Sequence, residues 1–191
     1  MTQLILIRHG QTQWNLEGRW QGQANPPLNA FGRAQAQRAA LELRDAGLDH
    51  LYSSDLRRAM ETAHIIGTEL GLAVHADARL REINLGRWQG MLSTDIQARY
   101  PDEFRSWHTS PLTSRPPDGE DLHTLAARVL EAISEIAYRH AGQRIGVVAH
   151  ELPIAVALAH VRSVDLAQLR DLIPAIGTWQ EVTWEENTKS A

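Results

Sequence analysis

The chain has 191 residues, 43% of them hydrophobic and 22% charged, with a formal net charge of −4 and no cysteine. That length holds one folded domain with a real core, and residues 1–191 are read as a single domain. The acidic balance excludes a generally basic surface for nucleic acid, the missing thiols exclude disulfides, thiolate nucleophiles and cysteine-ligated metals, and no apolar run is long enough to span a membrane.

The opening residues carry neither a basic segment nor a cleavage-site pattern, so the expected setting is cytoplasmic. Residues 3–8 form the first strand: Leu4-Ile5-Leu6-Ile7 is an unbroken apolar run, as in a strand buried on both faces. It stops at Arg8-His9-Gly10. Residues 9–28 read as loop, broken by Gly18, Gly22, Pro26 and Pro27. Asn29 is a good N-cap for an Ala-rich helix to about Ala46, closed by Gly47. A short strand follows over His50 to Ser53. Asp55 or Ser54 then caps a second helix, with Ala59, Ala63, Ile66 and Leu70 on one face and Gly71 as its stop.

Leu72 to His75 is a weak strand. Residues 80–90 are irregular, and 93–108 hold one or two short helices broken at Pro101. Ser110 to Gly119 contains three prolines and is a loop. A long helix spans Glu120 to about Ala141, with Leu122, Leu125, Val129, Ile133 and Ile136 as its apolar stripe. Arg144 to Ala149 is a second continuous apolar strand, ending at His150. Pro153 sits in the first turn of the helix after it, where its missing N–H costs little. Val182 and Trp184 alternate with polar residues, as in a half-buried last strand, and the tail from Asn187 is expected to fray. Strand and helix alternate throughout. The fold class is therefore α/β, a three-layer αβα sandwich with a mainly parallel sheet and helices on both faces.

Ligands of open α/β sheets gather at the carboxyl ends of strands. Arg8-His9, Arg57-Arg58, Glu82 and His150 all fall at such ends or just after them. Arginine matches phosphate with bidentate hydrogen bonds. A neutral imidazole can attack phosphorus, and a carboxylic acid can protonate the leaving oxygen. The set therefore points to phosphoryl chemistry. His50, His64, His75, His108, His123, His140 and His160 lack metal-ligand spacing and are read as surface or packing residues. The pentapeptide Gly-Arg-Trp-Gln-Gly occurs twice, at residues 18–22 and 86–90, without P-loop or dinucleotide-binding spacing. Trp14, Trp20 and Trp88 are candidates for a pocket mouth.

In order along the chain, several segments resemble the histidine phosphatase superfamily, in its phosphoglycerate-mutase-like branch. They are Leu6-Ile7-Arg8-His9-Gly10-Gln11-Thr12 with Trp14-Asn15, Gly18-Arg19 to Gly22, Ser53-Ser54-Asp55-Leu56-Arg57-Arg58-Ala59, Leu80-Arg81-Glu82 to Gly90, Asp118-Gly119-Glu120 and Val147-Val148-Ala149-His150. The resemblance implies that His9 is the nucleophile and that Arg8, Asn15, Arg58 and His150 hold the phosphoryl oxygens. Glu82 would give the leaving group its proton, and Gln21 and Gly22 would touch the rest of the substrate. It implies no metal and no cofactor, and a small-molecule phosphate monoester as partner, with neither nucleic acid nor membrane; a homo-oligomer is allowed but not specified.

The short, Pro-rich stretch between Glu82 and Gly119 resembles the small phosphatases of the family. A metal-independent phosphomonoesterase is therefore expected, ahead of a phosphoglycerate mutase or a catalytically weak phosphate-binding module. Three positions depart from the family pattern. Glu151 stands where glycine usually follows the second histidine, Asp121 where serine is usual, and Asn25 where aspartate is common. Facing the pocket, the Glu151 carboxylate would repel phosphate; facing away, it would leave only its backbone N–H inward.

Overall fold

The computed structural model describes residues 1–185; the expected frayed end from Asn187 lies outside the described residues. Five strands are present: Thr2–Arg8 (β1), His50–Ser53 (β2), Val74–Ala76 (β3), Arg144–Ala149 (β4) and Trp179–Trp184 (β5). Seven α-helices accompany them among the described residues: Gln13–Glu17 (α1), Ala30–Glu42 (α2), Arg57–Leu70 (α3), Ser93–Arg99 (α4), Pro101–Thr109 (α5), Leu122–Arg139 (α6) and Glu151–Arg162 (α7). The strands make one sheet in the order β3-β2-β4-β1-β5. Its pairings are parallel except that β5 runs antiparallel to β1 at one edge.

The Leu4–Ile7 stretch of β1 and the Ile145–Ala149 stretch of β4 carry no polar side chain because helices cover both faces of the sheet. Leu4, Leu6, Ile145, Val147 and Ala149 join a core built with Val129, Ile133 and Ile136 of α6 and Ile154 and Leu158 of α7. The alternate residues Ile5, Ile7 and Val148 pack on the other face against Ala39, Ala40, Ala59, Ala63 and Ile66 of α2 and α3. Each fully buried Leu or Ile contributes about 1.5–3 kcal/mol, so a one-residue slip of β1 would misplace its whole set. No single helix among the described residues is long and apolar enough to cross a membrane.

Two local expectations are corrected. Residues 9–28 are not all loop: α1 forms there on a capping box, in which the Thr12 side chain accepts from Asn15 N–H and the Asn15 side chain accepts from Thr12 N–H. Five residues give too little periodicity to reveal it. Neither Ser54 nor Asp55 is the N-cap of α3; that position is Leu56, which has no capping side chain of its own. The first N–H of α3, on Arg57, donates to Asn25 Oδ1 at 2.6 Å, and Asp55 instead pairs with Arg81. Asn25 is thus a remote cap. Asp121 also caps, its Oδ1 accepting from Thr124 N–H at the start of α6.

The parallel order brings the ends of β1, β4 and β2 side by side. His9 N–H donates to Ala149 O at 3.1 Å and Ser54 N–H to Val148 O at 2.9 Å. The chain can leave β1 here only without a side chain at residue 10: a Cβ on Gly10 would lie 2.3 Å from Gly32 O at the start of α2.

Candidate active site

A cavity of about 340 Å³ opens at this edge of the sheet, lined among others by Arg8, His9, Asn15, Gln21, Gly22, Arg58 and Glu82. Seven of the eight residues singled out from the sequence therefore share one wall system. The eighth, His150, lies directly behind it, fully buried, with its ring edge-on to that of His9 at 5.1 Å between centroids.

His9 is held in one tautomer. Its Nδ1 lies 2.7 Å from Gly10 O, which can only accept, so Nδ1 carries the proton. Nε2 keeps its lone pair and accepts from Arg58 Nε at 3.2 Å. Burial, then the Arg58 charge, then that of Arg8, hold the His9 pKa well below the ordinary imidazole value, against a raising contribution from the Gly10 carbonyl. The ring is neutral and nucleophilic at physiological pH.

Arg58 is 1% exposed. Its burial is compensated by the loop carbonyls of Ala24 and Gly22, which accept from Nη1 and Nη2 at 2.8 and 2.7 Å. Desolvation brings its pKa down to about 10, which still leaves it charged at neutral pH. Arg57 faces solvent and pairs with Glu61, so the preference for Arg58 agrees with the geometry. Asn15 and Gln21 both direct their amide oxygens at the buried Thr12 hydroxyl, at 3.0 and 2.9 Å. Asn15 Oδ1 also accepts from Thr12 N–H at 2.9 Å, which fixes its amide and leaves the nitrogen, with no protein partner among the described residues, as a donor of the polarity an oxyanion needs.

His150 Nε2 lies 2.8 Å from Ser54 Oγ, which also accepts from Leu56 N–H. The other ring nitrogen, Nδ1, is buried and has no protein partner among the described residues. Burial first, then Arg58 and His9, hold this histidine neutral too.

Glu82 is 7% exposed, with Oε1 accepting from Ile83 N–H at 2.9 Å. Burial, then the charge of Glu151, push its pKa up to about 7, so a large share of it is protonated at neutral pH. Its backbone is fixed by Arg128, whose donors reach the carbonyls of Arg79, Arg81 and Glu82 and both oxygens of Glu120. Arg128→Met should strand the half-buried Glu120 carboxylate and three carbonyls. Urea unfolding is expected to show a loss of about 3–5 kcal/mol, with kcat falling as the Glu82 loop loosens. Arg128→Lys, which keeps the charge but not the fork, should fall between.

The two Gly-Arg-Trp-Gln-Gly segments meet each other. Trp20 N–H donates to Met91 O and Gly90 N–H to Trp20 O, at 2.9 and 2.8 Å. Gln23 N–H donates to Gln89 Oε1 at 2.7 Å. The Trp20 and Trp88 rings pack edge-on at 5.6 Å. Gly22 has a φ of +50°, in the left-handed region that favours glycine, and a Cβ there would also crowd Gln89 Oε1 at 2.7 Å.

The outer wall was only partly legible. Trp20 lines the cavity, as expected of a mouth residue, whereas Trp88 is buried in the core and Trp14 packs on Gly90. His108, read as a surface or packing residue, also lines the cavity, as do Trp107, Arg170 and Ile173. Trp107 and His108 come from α5, Arg170 from the 3-10 helix after α7 and Ile173 from just past its end, and nothing local in their sequence marks them. Glu151 faces the cavity and forms an ion pair with Arg8, which decides its orientation. Among the described residues no group of three or more His, Asp or Glu has metal-binding geometry.

The model of the histidine phosphatase superfamily (branch 1) matches residues 4–191. The chain is 37% identical to phosphoserine phosphatase 1 of Hydrogenobacter thermophilus, over 88% of this chain and 80% of that one. It is also 37% identical to "Probable phosphoglycerate mutase GpmB" of Klebsiella pneumoniae, over 81% of this chain and 72% of that one. Among solved structures it is similar to a mycobacterial glucosyl-3-phosphoglycerate phosphatase, with a TM-score of 0.87 at 33% identity, covering 95% of this chain and 92% of the other. The chain belongs to the histidine phosphatase superfamily. It is an enzyme of the phosphatase class, acting on phosphoric monoesters.

Proposed function

We propose that this phosphatase hydrolyses small phosphate monoesters in two transfers through His9. The phosphoryl oxygens lie among Arg8, Arg58, His150 and the amide nitrogen of Asn15. His9 Nε2 attacks phosphorus as the bond to the leaving oxygen breaks, and Glu82 gives that oxygen its proton. The phosphohistidine is then attacked by water, whose proton passes to the Glu82 carboxylate, and the P–N bond breaks to release phosphate. Gln21 and Gly22 contact the rest of the ester. The arginines supply the positive charge that a loose, oxygen-centred transition state requires.

The observation that carries this reading is the coupling of a neutral His9, its Nε2 lone pair fixed beside Arg58, to a buried carboxyl that still holds its proton near pH 7. The cavity volume suits a small metabolite. The relatives named above act on phosphoserine and on glucosyl-3-phosphoglycerate, and phosphorylated hydroxy acids of that size are the first esters to try. The test is a phosphate-release screen over metabolite monoesters with excess chelator. Release that survives chelation is expected. Release lost with chelator overturns the arginine-based account, and isomerisation of 3- to 2-phosphoglycerate without phosphate release would favour the mutase reading instead.

A further inference from the structure

Arg8 has its own donors unequally committed. Nη1 donates to Pro174 O at 2.7 Å. Nη2 donates to Glu151 Oε2 in an ion pair. Nε is buried and has no partner among the described residues. A phosphoryl group gripped by two parallel N–H bonds would use the Nε–Nη2 edge, and Glu151 holds half of that edge. The carboxylate is not sealed away: its side chain is 42% exposed, against 9% for Arg8, and it lines the same cavity.

We propose that Glu151 is a resident anion that shares Arg8 with the phosphoryl group, so that this enzyme holds phosphate more weakly, and sheds it more readily, than the same pocket without the carboxylate. The proposal rests on the phosphatase reading above. A phosphoryl dianion meeting Arg8 must displace Glu151 from Nη2 or bind beside it. Either route costs affinity, since like charges set close together in a partly dry site repel strongly. The cost falls on the ester and on product phosphate alike. Tight product is a hazard for a hydrolase that must empty its site each turnover, and Glu151 offsets it. A purely structural account also exists: an acidic residue at the first position of α7 complements the helix dipole. The two accounts differ in what they say about phosphate.

Calorimetric titration with inorganic phosphate at one pH, on wild type, Glu151→Gln and Glu151→Gly, separates them. Both variants are expected to bind phosphate about tenfold tighter, with KM for the ester falling in step. Unchanged or weaker phosphate binding in both variants overturns the proposal. So does a lowered melting temperature with phosphate affinity unmoved, which assigns Glu151 to the helix end alone. In either case hydrolysis by the wild type leaves the phosphatase reading standing. A wild type that neither binds phosphate nor releases it from any ester would remove both.

Discussion

His9→Ala is expected to lower phosphate release by at least about three orders of magnitude, the scale associated with removing a covalent nucleophile. The loss should be in kcat, with KM little changed, because Arg8, Arg58 and the Asn15 amide remain to bind the ester. Wild-type protein quenched in acid-free conditions during turnover should carry a phosphoryl group that is stable in alkali and labile in acid; the variant should carry none. The prediction depends on geometry as much as on residue type. His9 Nδ1 is tied to Gly10 O and Nε2 faces Arg58, so the reactive lone pair is aimed before the substrate arrives. Burial and the two arginines hold the ring neutral, and protonation of His9 should not limit the rate at mildly acidic pH. An alanine variant with the wild-type kcat would remove His9 from the mechanism.

Glu82→Gln is expected to cost about 10²–10⁴ in kcat with alkyl esters, the usual worth of a placed general acid. With an aryl ester such as p-nitrophenyl phosphate, whose leaving group needs no proton, the first transfer should be nearly unaffected. The pH profile gives the sharper test. The Glu82 carboxyl is raised from its ordinary 4.5 to about 7, by burial first and the Glu151 charge second. The acid form dominates below that value, so kcat with alkyl esters should fall as pH rises through about 7, and the limb should vanish in the glutamine variant. The sign for stability is the same. Between about 4.5 and about 7 the folded protein binds the proton that the unfolded chain has released, so this group's contribution to stability declines as pH rises across that window. A wild-type limb unchanged by the substitution would assign the titration to another group.

The parts of the fold that could be read in advance were those where burial leaves no choice. β1 and β4 are covered on both faces, so each shows as an unbroken apolar run, and the stripe of α6 follows from its burial in the core it shares with α7 and the sheet. The convergence of the candidate site residues was legible for a related reason. Arg8-His9 and His150 are charged or polar interruptions placed where those two runs end, and parallel pairing of β1 with β4 brings the ends together. What escaped the sequence was set by contacts between distant segments. The cap of α3 is Asn25, thirty-two positions before Arg57. The outer cavity takes Trp107 and His108 from α5 and Arg170 from beyond α7. The orientation of Glu151 was open for the same reason: only the position of Arg8 on a different strand decides it.

The meeting of the two Gly-Arg-Trp-Gln-Gly segments bears on how this enzyme can change. One segment belongs to the loop that carries Gln21 and Gly22, and the other follows the loop that carries Glu82. They are joined by backbone bonds, a glutamine side chain and a tryptophan pair, and Gln23 Nε2 donates directly to Glu82 O. The positions of the Gln21–Gly22 loop and of the Glu82 backbone are therefore coupled. A loop graft meant to redirect the enzyme to a new ester would have to bring both halves from the same donor, because a foreign partner would leave the clasp mismatched and the proton donor adrift.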